Sequence, residues 1–238
     1  MAAFFSLCLS GCVNLGAVQQ SWEAAVVEVP SETGRVSGNL GETDVQSRLT
    51  QIRDQPGIPT VLYFHGCTGL RKDSATVMHA GTREFWRRLT QDGYAIVSPD
   101  SFARDRRRPL CGSGWIQDRI RIPEVNYAVE QLKLLAWVDI SNIVLVGFSE
   151  GGSAVSQYGG DDASAVIILG NDCSLGVRFR GPSLAILSAN DSWIKKTNPC
   201  SGATKRLIID SDIHNALRFS EAQALFREFL RDNRNYNY

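Results

Sequence analysis

Short apolar runs alternate with segments of helical periodicity along this chain, and the alternation restricts its fold class. Six of the runs lack a regular change between polar and apolar residues, which is typical of strands covered on both faces. They occupy residues 60–65, 94–99, 142–148, 165–170, 183–189 and 206–211. The helical segments occupy residues 80–91, 123–136, 150–158 and 218–231. The pattern predicts an α/β fold with a mostly parallel central sheet and helices on both faces.

The sheet is expected to begin with a hairpin. Residues 22–29 (WEAAVVEV) precede a turn at Gly34 and a second run, RVSGNL, which together predict two antiparallel strands. With 238 residues, of which 43% are hydrophobic, the chain is long enough to bury one sizeable core. We therefore expect a single domain over residues 22–238.

One connection is too long for this alternation. Residues 99–122 (PDSFARDRRRPLCGSGWIQDRIRI) are rich in turn-forming residues and arginines, and long loops in compact domains are often functional. We expect most of these arginines to be solvated, whereas one of them could hold a substrate carboxylate in a bidentate pair. Arg104 and Arg106 are the candidates for that contact. The full set is Arg104, Arg106, Arg107, Arg108, Arg119 and Arg121.

The charges of the whole chain balance, with 25 Lys plus Arg against 25 Asp plus Glu. A balanced chain has no general attraction to nucleic acid or to acidic membranes. Nucleic acid is therefore not an expected partner.

The N-terminus has the features of an export signal. Residues 1–12 (MAAFFSLCLSGC) form an apolar run that is too short to span a bilayer. The run ends in LSGC, which resembles the lipobox of bacterial lipoproteins and predicts a lipid anchor at Cys12, but no Lys or Arg precedes it as a signal peptide requires. An ordinary apolar N-terminus remains the alternative. The signal interpretation predicts an exported protein, periplasmic or anchored to a membrane.

Cysteines support the same compartment. Outside the predicted signal the chain has an even set, Cys67, Cys111, Cys173 and Cys200, which allows three disulfide pairings. We favour Cys67 with Cys111 and Cys173 with Cys200, since each bond would join neighbouring loops. Four reduced thiols are the alternative.

A serine lies where a predicted strand turns into a helix. In VLVGFSEGG (residues 144–152), Gly147 and Gly151 flank Ser149 in the GxSxG pattern, whose small neighbours let a nucleophile occupy a sharp, strained turn. The turn lies at the carboxyl edge of the sheet, where α/β proteins bind ligands. Ser149 is therefore the candidate nucleophile.

A serine hydroxyl needs a base and an acid that orients the base. His214 follows the last predicted strand at the same edge, whereas His79 is expected at the surface and His65 closes a strand. Asp191 follows residues 183–189 and gives the chain order Ser, Asp, His of α/β-hydrolases. The competing acids are Asp172, Asp210 and Asp212.

Two backbone amides are expected to stabilise an oxyanion beside Ser149. One belongs to Glu150, directly after the nucleophile, and the other to Cys67 in the HGCTG segment after residues 60–65. HGCTG could also be an ordinary glycine-containing turn. The mechanism needs no metal and no organic cofactor.

These motifs together resemble the dienelactone hydrolase family of the α/β-hydrolase superfamily. The resemblance rests on HGCTGL (65–70), FWRRLTQDGYAIVSPDSF (85–102) and GFSEGG (147–152), with Asp191 and His214. It implies an α/β-hydrolase fold without a large cap domain and cleavage of ester or lactone bonds. Members of that family proper use a cysteine nucleophile, so Ser149 favours an ester hydrolase acting on a small-molecule ester.

Two other functions fit the same residues. A peptidase or thioesterase would use the same three side chains, because only the substrate pocket differs. A binding protein of the cell envelope could keep the residues without hydrolysis.

Overall fold

A computed structural model describes residues 15–32, 34–52, 57–72, 75–76, 80–104, 115–195 and 197–234. The predicted signal with Cys12 lies outside the described residues, as do His79, Arg106, Arg107, Arg108 and Cys111. The side chain of Arg119 lies outside them too. Among the described residues, none of the helices is long and apolar enough to cross a membrane.

The described residues form strands and helices that alternate along most of the chain. The strands are β1 (Val26–Ser31), β2 (Gly34–Asn39), β3 (Ile58–Phe64), β4 (Arg71–Lys72), β5 (Ala75–Thr76), β6 (Ala95–Ser98), β7 (Val138–Phe148), β8 (Ala165–Leu169), β9 (Ser183–Ser188) and β10 (Lys205–Ile209). The helices are α1 (Leu15–Glu23), α2 (Thr43–Gln51), α3 (Ala80–Gln91), α4 (Trp115–Lys133), α5 (Glu150–Ser156) and α6 (Ser220–Asp232).

Eight of these strands form one sheet in the order β10-β9-β8-β7-β3-β6-β1-β2. The pairs from β10 to β6 are all parallel, whereas β1 is antiparallel to both β6 and β2. The expected mostly parallel α/β sheet is therefore confirmed. Within the described ranges, no insertion between strands forms a cap domain.

Helices cover both faces of the sheet because its central strands are apolar on both sides. Every residue of β3, β8 and β9 is buried. On one face α3 packs on α6 through an edge-to-face contact of Phe85 and Phe226, whose ring centroids are 5.0 Å apart. On the other face α4 and α5 bury Val129 and Val155. Each fully buried side chain of this size contributes about 1.5–3 kcal/mol to the free energy of unfolding.

Three elements differ from the sequence-based expectation. Trp22 and Glu23 end α1 instead of beginning a strand, and the hairpin starts at Val26. Helix α2 is short and was not expected. Helix α4 begins at Trp115, so Pro123 lies inside the helix and the end of the predicted loop, residues 115–122, is helical.

The topology brings the predicted site residues to one edge of the sheet. Parallel strands end at the same edge, and Ser149, Asp191 and His214 follow β7, β9 and β10 respectively. The HGCTG segment follows β3, which pairs with β7. Ser149 thus lies between the strand that leads to HGCTG and the strands that lead to the acid and the base.

Candidate active site

Ser149 occupies a strained turn between β7 and α5. Its φ of 54° and ψ of −114° are values that L-residues rarely adopt, and such strain persists only where surrounding contacts impose it. Two hydrogen bonds do so here: the Ser149 amide donates to the carbonyl oxygen of Leu169 at 2.8 Å, and Asn171 Nδ2 donates to the Ser149 carbonyl oxygen at 3.0 Å. The turn is therefore fixed to the end of the neighbouring strand β8.

The glycines around Ser149 are required by close backbone contacts. A Cβ on Gly147 would collide with the backbone of Gly151, and one on Gly151 would collide with the carbonyl of Phe64. A Cβ on Gly66 would lie 3.2 Å from the Cβ of Ser149. The turn closes because these positions lack side chains.

The structure brings the predicted base and acid into a hydrogen-bonded row with the serine. His214 Nε2 lies 2.9 Å from Ser149 Oγ, and His214 Nδ1 lies 2.5 Å from Asp191 Oδ2. The carboxylate accepts a hydrogen bond from the N–H at Nδ1, which leaves Nε2 as an acceptor facing the serine hydroxyl. Asp191 is buried, whereas the His214 side chain is 27% exposed.

The structure separates Asp191 from its competitors. Its second oxygen, Oδ1, accepts a hydrogen bond from the Trp193 amide at 2.9 Å, which fixes the carboxylate. Asp210 instead accepts from Asn190 Nδ2 at 2.9 Å, Asp172 accepts from the Lys195 amide at 3.3 Å, and Asp212 is exposed.

Aromatic rings surround the imidazole of His214. The Phe148 ring centroid lies 5.0 Å away and the Trp193 ring centroid 6.3 Å away. Trp193 is 59% exposed, so the site has an apolar rim open to solvent.

The segment after β3 lies directly against the nucleophile, as the contact of Gly66 with Ser149 indicates. Cys67 follows Gly66 and is disulfide-bonded, while its favoured partner Cys111 lies outside the described residues. Glu150 begins α5 immediately after Ser149. The amides of Cys67 and Glu150 therefore belong to the two segments that adjoin Ser149, and their role as oxyanion donors stays a prediction.

His65 is a buried structural residue. Its Nδ1 lies 2.6 Å from the carbonyl oxygen of Gly66, and its Nε2 accepts from the Ser101 amide at 3.1 Å. Burial, together with the charge of Arg121, lowers the pKa of His65 to about 3, so the ring is neutral at physiological pH.

Beside His65 lies a group of buried charges that we call the ionic cluster: Arg104, Arg121, Glu124 and Glu150. Arg121 Nε lies 3.2 Å from Glu124 Oε2 and 3.6 Å from Glu150 Oε1, and Arg104 Nη2 lies 2.5 Å from Glu124 Oε1. The four side chains are between 1% and 11% exposed. The charges of two positive and two negative side chains thus offset each other in a site largely excluded from water.

Ser101 and Arg121 extend the ionic cluster with hydrogen bonds. Ser101 Oγ lies 2.7 Å from both oxygens of Glu124 and accepts from Arg121 Nη1. Burial raises the pKa of the Glu124 carboxyl, but Arg121 and Arg104 outweigh it and hold that pKa below its usual value. Glu124 is therefore an anion in the folded protein at neutral pH.

The arginine predictions need correction for two residues. Arg104 was a candidate for a substrate carboxylate, but it pairs with Glu124, and its Nε donates to Ser21 Oγ at 2.8 Å. Arg121, expected among the solvated arginines, is 2% exposed because α4 directs it into the ionic cluster. Arg106, the other candidate, lies outside the described residues.

Sequence reasoning missed Asn171 as well as the ionic cluster. Asn171 follows β8 at the same sheet edge as Ser149, and that position was the signal that could have identified it. Its Oδ1 also accepts from the Cys173 amide at 2.8 Å. Cys173 forms a disulfide with Cys200, as favoured from the sequence.

Comparison with known proteins gives matches in structure alone. No protein-family model matches the sequence, and no curated protein matches it. A protein assigned as a dienelactone hydrolase from Klebsiella pneumoniae subsp. pneumoniae is 15% identical, with a TM-score of 0.51 over 87% of this chain and 98% of that chain.

Longer proteins share the fold too. The acylaminoacyl peptidase of Pyrococcus horikoshii is 15% identical with a TM-score of 0.54, over 78% of this chain and 38% of that chain. Dipeptidyl peptidase 4 of Porphyromonas gingivalis is 11% identical with a TM-score of 0.56, over 87% of this chain and 35% of that chain. The chain therefore has the α/β-hydrolase fold, as the resemblance implied.

Proposed function

We propose that this protein is a serine hydrolase that cleaves carboxylic esters or lactones through an acyl-enzyme intermediate. The observation that carries the proposal is the row of Ser149, His214 and Asp191, which starts from a strained serine at the carboxyl edge of the sheet. A strained backbone at such a position is a frequent property of catalytic nucleophiles.

In the first half of the reaction Ser149 Oγ attacks the ester carbonyl carbon while His214 Nε2 takes the hydroxyl proton. Asp191 holds the ring in the correct tautomer and stabilises the imidazolium that forms. The amides of Cys67 and Glu150 donate to the oxyanion of the tetrahedral intermediate. The carbon–oxygen bond to the alcohol then breaks, and His214 protonates the leaving oxygen.

In the second half water replaces the alcohol. His214 Nε2 removes a proton from water, the hydroxide adds to the acyl carbon, and the bond to Ser149 Oγ breaks with return of the proton to the serine. The products are a carboxylic acid and the free enzyme. Partial exposure of His214 suits this step, since the base must reach water.

An ester fits better than a peptide for one structural reason. The protein assigned as a dienelactone hydrolase is covered over 98% of its length, whereas this chain covers 38% of the acylaminoacyl peptidase. We infer that the described fold is closer in extent to that protein than to the longer peptidases. A peptidase on the same residues is the second candidate, because proteins of that class share the fold.

We also propose that the protein is exported. The disulfide between Cys173 and Cys200 supports this, because such bonds persist mainly in oxidising compartments. Mass spectrometry of the protein purified from its source would detect diacylglyceryl or acyl groups on Cys12 if the lipobox is processed. An unprocessed N-terminus would contradict the lipid anchor.

Three substrates and one probe test the enzymatic proposal. Purified protein is incubated with p-nitrophenyl acetate, p-nitrophenyl butyrate and an aminoacyl p-nitroanilide, and separately with a fluorophosphonate whose attachment site is mapped by mass spectrometry. We expect ester hydrolysis, labelling at Ser149, and a loss of about 10⁴- to 10⁶-fold in kcat/KM for Ser149→Ala. The variant should melt like the wild type, since it removes only a hydroxyl.

The outcomes separate the candidate functions. Faster cleavage of the anilide than of the esters would favour a peptidase. An unlabelled Ser149 without turnover would contradict a hydrolase and favour the binding function.

A further inference from the structure

The ionic cluster joins the two segments that adjoin the nucleophile. One is the HGCTG segment, which begins at His65, and the other is the first turn of α5, which begins at Glu150. Arg121 contacts both: its Nη2 donates to the His65 carbonyl oxygen at 2.8 Å, and its Nε lies 3.6 Å from Glu150 Oε1. One side chain on α4 therefore connects the end of β3 with the start of α5, the two segments that adjoin Ser149.

From these contacts we propose that Arg121 is a positioning residue, which sets the distance between the Cys67 and Glu150 segments and thereby the oxyanion site. The inference rests on the proposed function, because it assigns a purpose to Arg121 only if an oxyanion forms beside Ser149. Arg121 does not touch the substrate in this proposal. It acts through the backbone that the two segments carry.

A guanidinium is needed because its nitrogens point in different directions. Nη2 reaches His65, Nη1 reaches Ser101, and Nε faces Glu124 and Glu150. The ammonium of Lys is a single point on a flexible stem and cannot make these contacts together. Lys at this position is therefore expected to retain the positive charge but to lose the contacts that hold the Cys67 and Glu150 segments in place.

The surroundings keep Arg121 in place. The side chain is 2% exposed, Glu124 offsets its charge at 3.2 Å, and Ser101 Oγ connects the two. His65 faces the same guanidinium in its neutral form, with Nε2 3.3 Å from Nη1. A rigid arrangement of this kind suits catalysis, since donors must already point to the position where the charge develops.

The proposal predicts which kinetic constant changes. Loosening the two segments weakens contacts that matter in the transition state but leaves ground-state binding intact, so kcat falls while KM stays. A displacement of about 1 Å in a catalytic group can reduce the rate about 100-fold. For Arg121→Met and Arg121→Lys we expect kcat to fall about 10- to 100-fold, with KM within about twofold of the wild type.

The experiment measures hydrolysis of p-nitrophenyl butyrate per active site. Fluorophosphonate titration counts the folded, reactive Ser149, so that a lower folded fraction does not count as a lower kcat. Glu150→Gln is included because it keeps the size of the side chain and removes only its charge, so we expect it to fold more readily than the Arg121 variants. We expect a fall of about tenfold in kcat for Glu150→Gln.

Two controls separate positioning from stability. Arg227→Met removes an arginine from a surface pair with Asp92 and tests the substitution itself. Phe226→Leu weakens the core on the opposite face of the sheet and tests a general loss of stability. Both are expected to keep kcat per titrated site within about twofold.

The two proposals fail in different ways. If wild-type protein hydrolyses the ester and Ser149 is labelled, but the Arg121 and Glu150 variants keep wild-type kcat per site, the positioning proposal is wrong and the hydrolase stands. It is also wrong if KM rises and kcat does not change. If wild-type protein neither reacts with the probe nor hydrolyses the ester, the proposed function fails, and with it this inference.

Discussion

Ser149 lies between two polar assemblies with opposite properties. Towards β9 and β10 is the row of Asp191 and His214, held by two hydrogen bonds, with the base 27% exposed. Towards β3 and α4 is the ionic cluster, whose Arg121 and Glu124 are 2% and 1% exposed. A base that exchanges protons with water must be accessible, whereas groups that only hold backbone segments in place are better excluded from water.

Because of this difference in exposure, substitutions on the two sides are expected to affect different properties, activity on one side and stability on the other. The row buries one carboxylate, that of Asp191, beside a partly exposed base, so changing it should cost activity more than folding free energy. The ionic cluster contains charges whose partners cannot be replaced by water, so changing it should cost folding free energy first. Substitutions on the two sides can therefore be compared directly.

Among the substitutions that compare the two sides of Ser149, the largest expected effect is on activity, in Asp191→Asn. The amide cannot hold the His214 tautomer that faces Ser149, and kcat/KM for p-nitrophenyl butyrate should fall about 10³- to 10⁴-fold. Asp210→Asn is the matched control, since Asp210 contacts Asn190. An equal loss in both variants would mean that Asp191 is not the orienting acid.

The next effect is on stability, in Glu124→Gln. Without the carboxylate, Arg104 and Arg121 face each other in a buried site, and the free energy of unfolding should fall by about 3–5 kcal/mol. Urea denaturation followed by circular dichroism measures the change. A loss as small as that of an exposed ion pair would show that water enters the ionic cluster.

A pH dependence follows from His65. Its pKa is about 3 in the folded protein, against an ordinary value of 6.5, so below pH 6.5 the unfolded chain binds a proton that the folded protein does not. The contribution of His65 to the free energy of unfolding is therefore fully present above pH 6.5. It falls towards pH 3, by up to about 1.4 kcal/mol per pH unit. Because the lowered pKa of Glu124 affects stability only below the ordinary value of 4.5, the window between pH 6.5 and 5 separates the effect of His65 from that of Glu124.

Urea unfolding of His65→Asn at several pH values checks this origin. Asn offers a donor for the Gly66 carbonyl but does not titrate, so the variant should be less stable at pH 8 and show a flatter slope between pH 6.5 and 5. A slope equal to that of the wild type would assign the effect to other groups.

The smallest effect is expected for an exposed pair. Glu228 lies 2.9 Å from Lys205, with both side chains more than 40% exposed. Glu228→Gln should leave the melting temperature within about 1 °C and kcat unchanged, because solvent screens such pairs. A larger shift would mean that exposed charge pairs in this protein contribute to stability as buried ones do, which contradicts the comparison.

The sequence predicted the strands and the row well because both have local signals. Apolar runs end at the sheet edge, and the positions of Ser149, Asp191 and His214 after strands followed from that pattern. The ionic cluster had no such signal. Arg121 lies in a stretch rich in arginine that resembles a solvated surface, and only the packing of α4 on the sheet buries it. Helix α1 was missed for a related reason, since a helix of nine residues depends on its packing contacts.

Helix α1 also limits how far the chain can be shortened for laboratory production. Ser21 is fully buried, its hydroxyl accepts from Arg104 and its carbonyl accepts from the Asp100 amide at 2.9 Å. A recombinant version that starts at Ala24, just before β1, would remove both acceptors and open the Arg104 end of the ionic cluster to water. Trimming upstream of Leu15 keeps them, so affinity tags and cleavage sites are best inserted there.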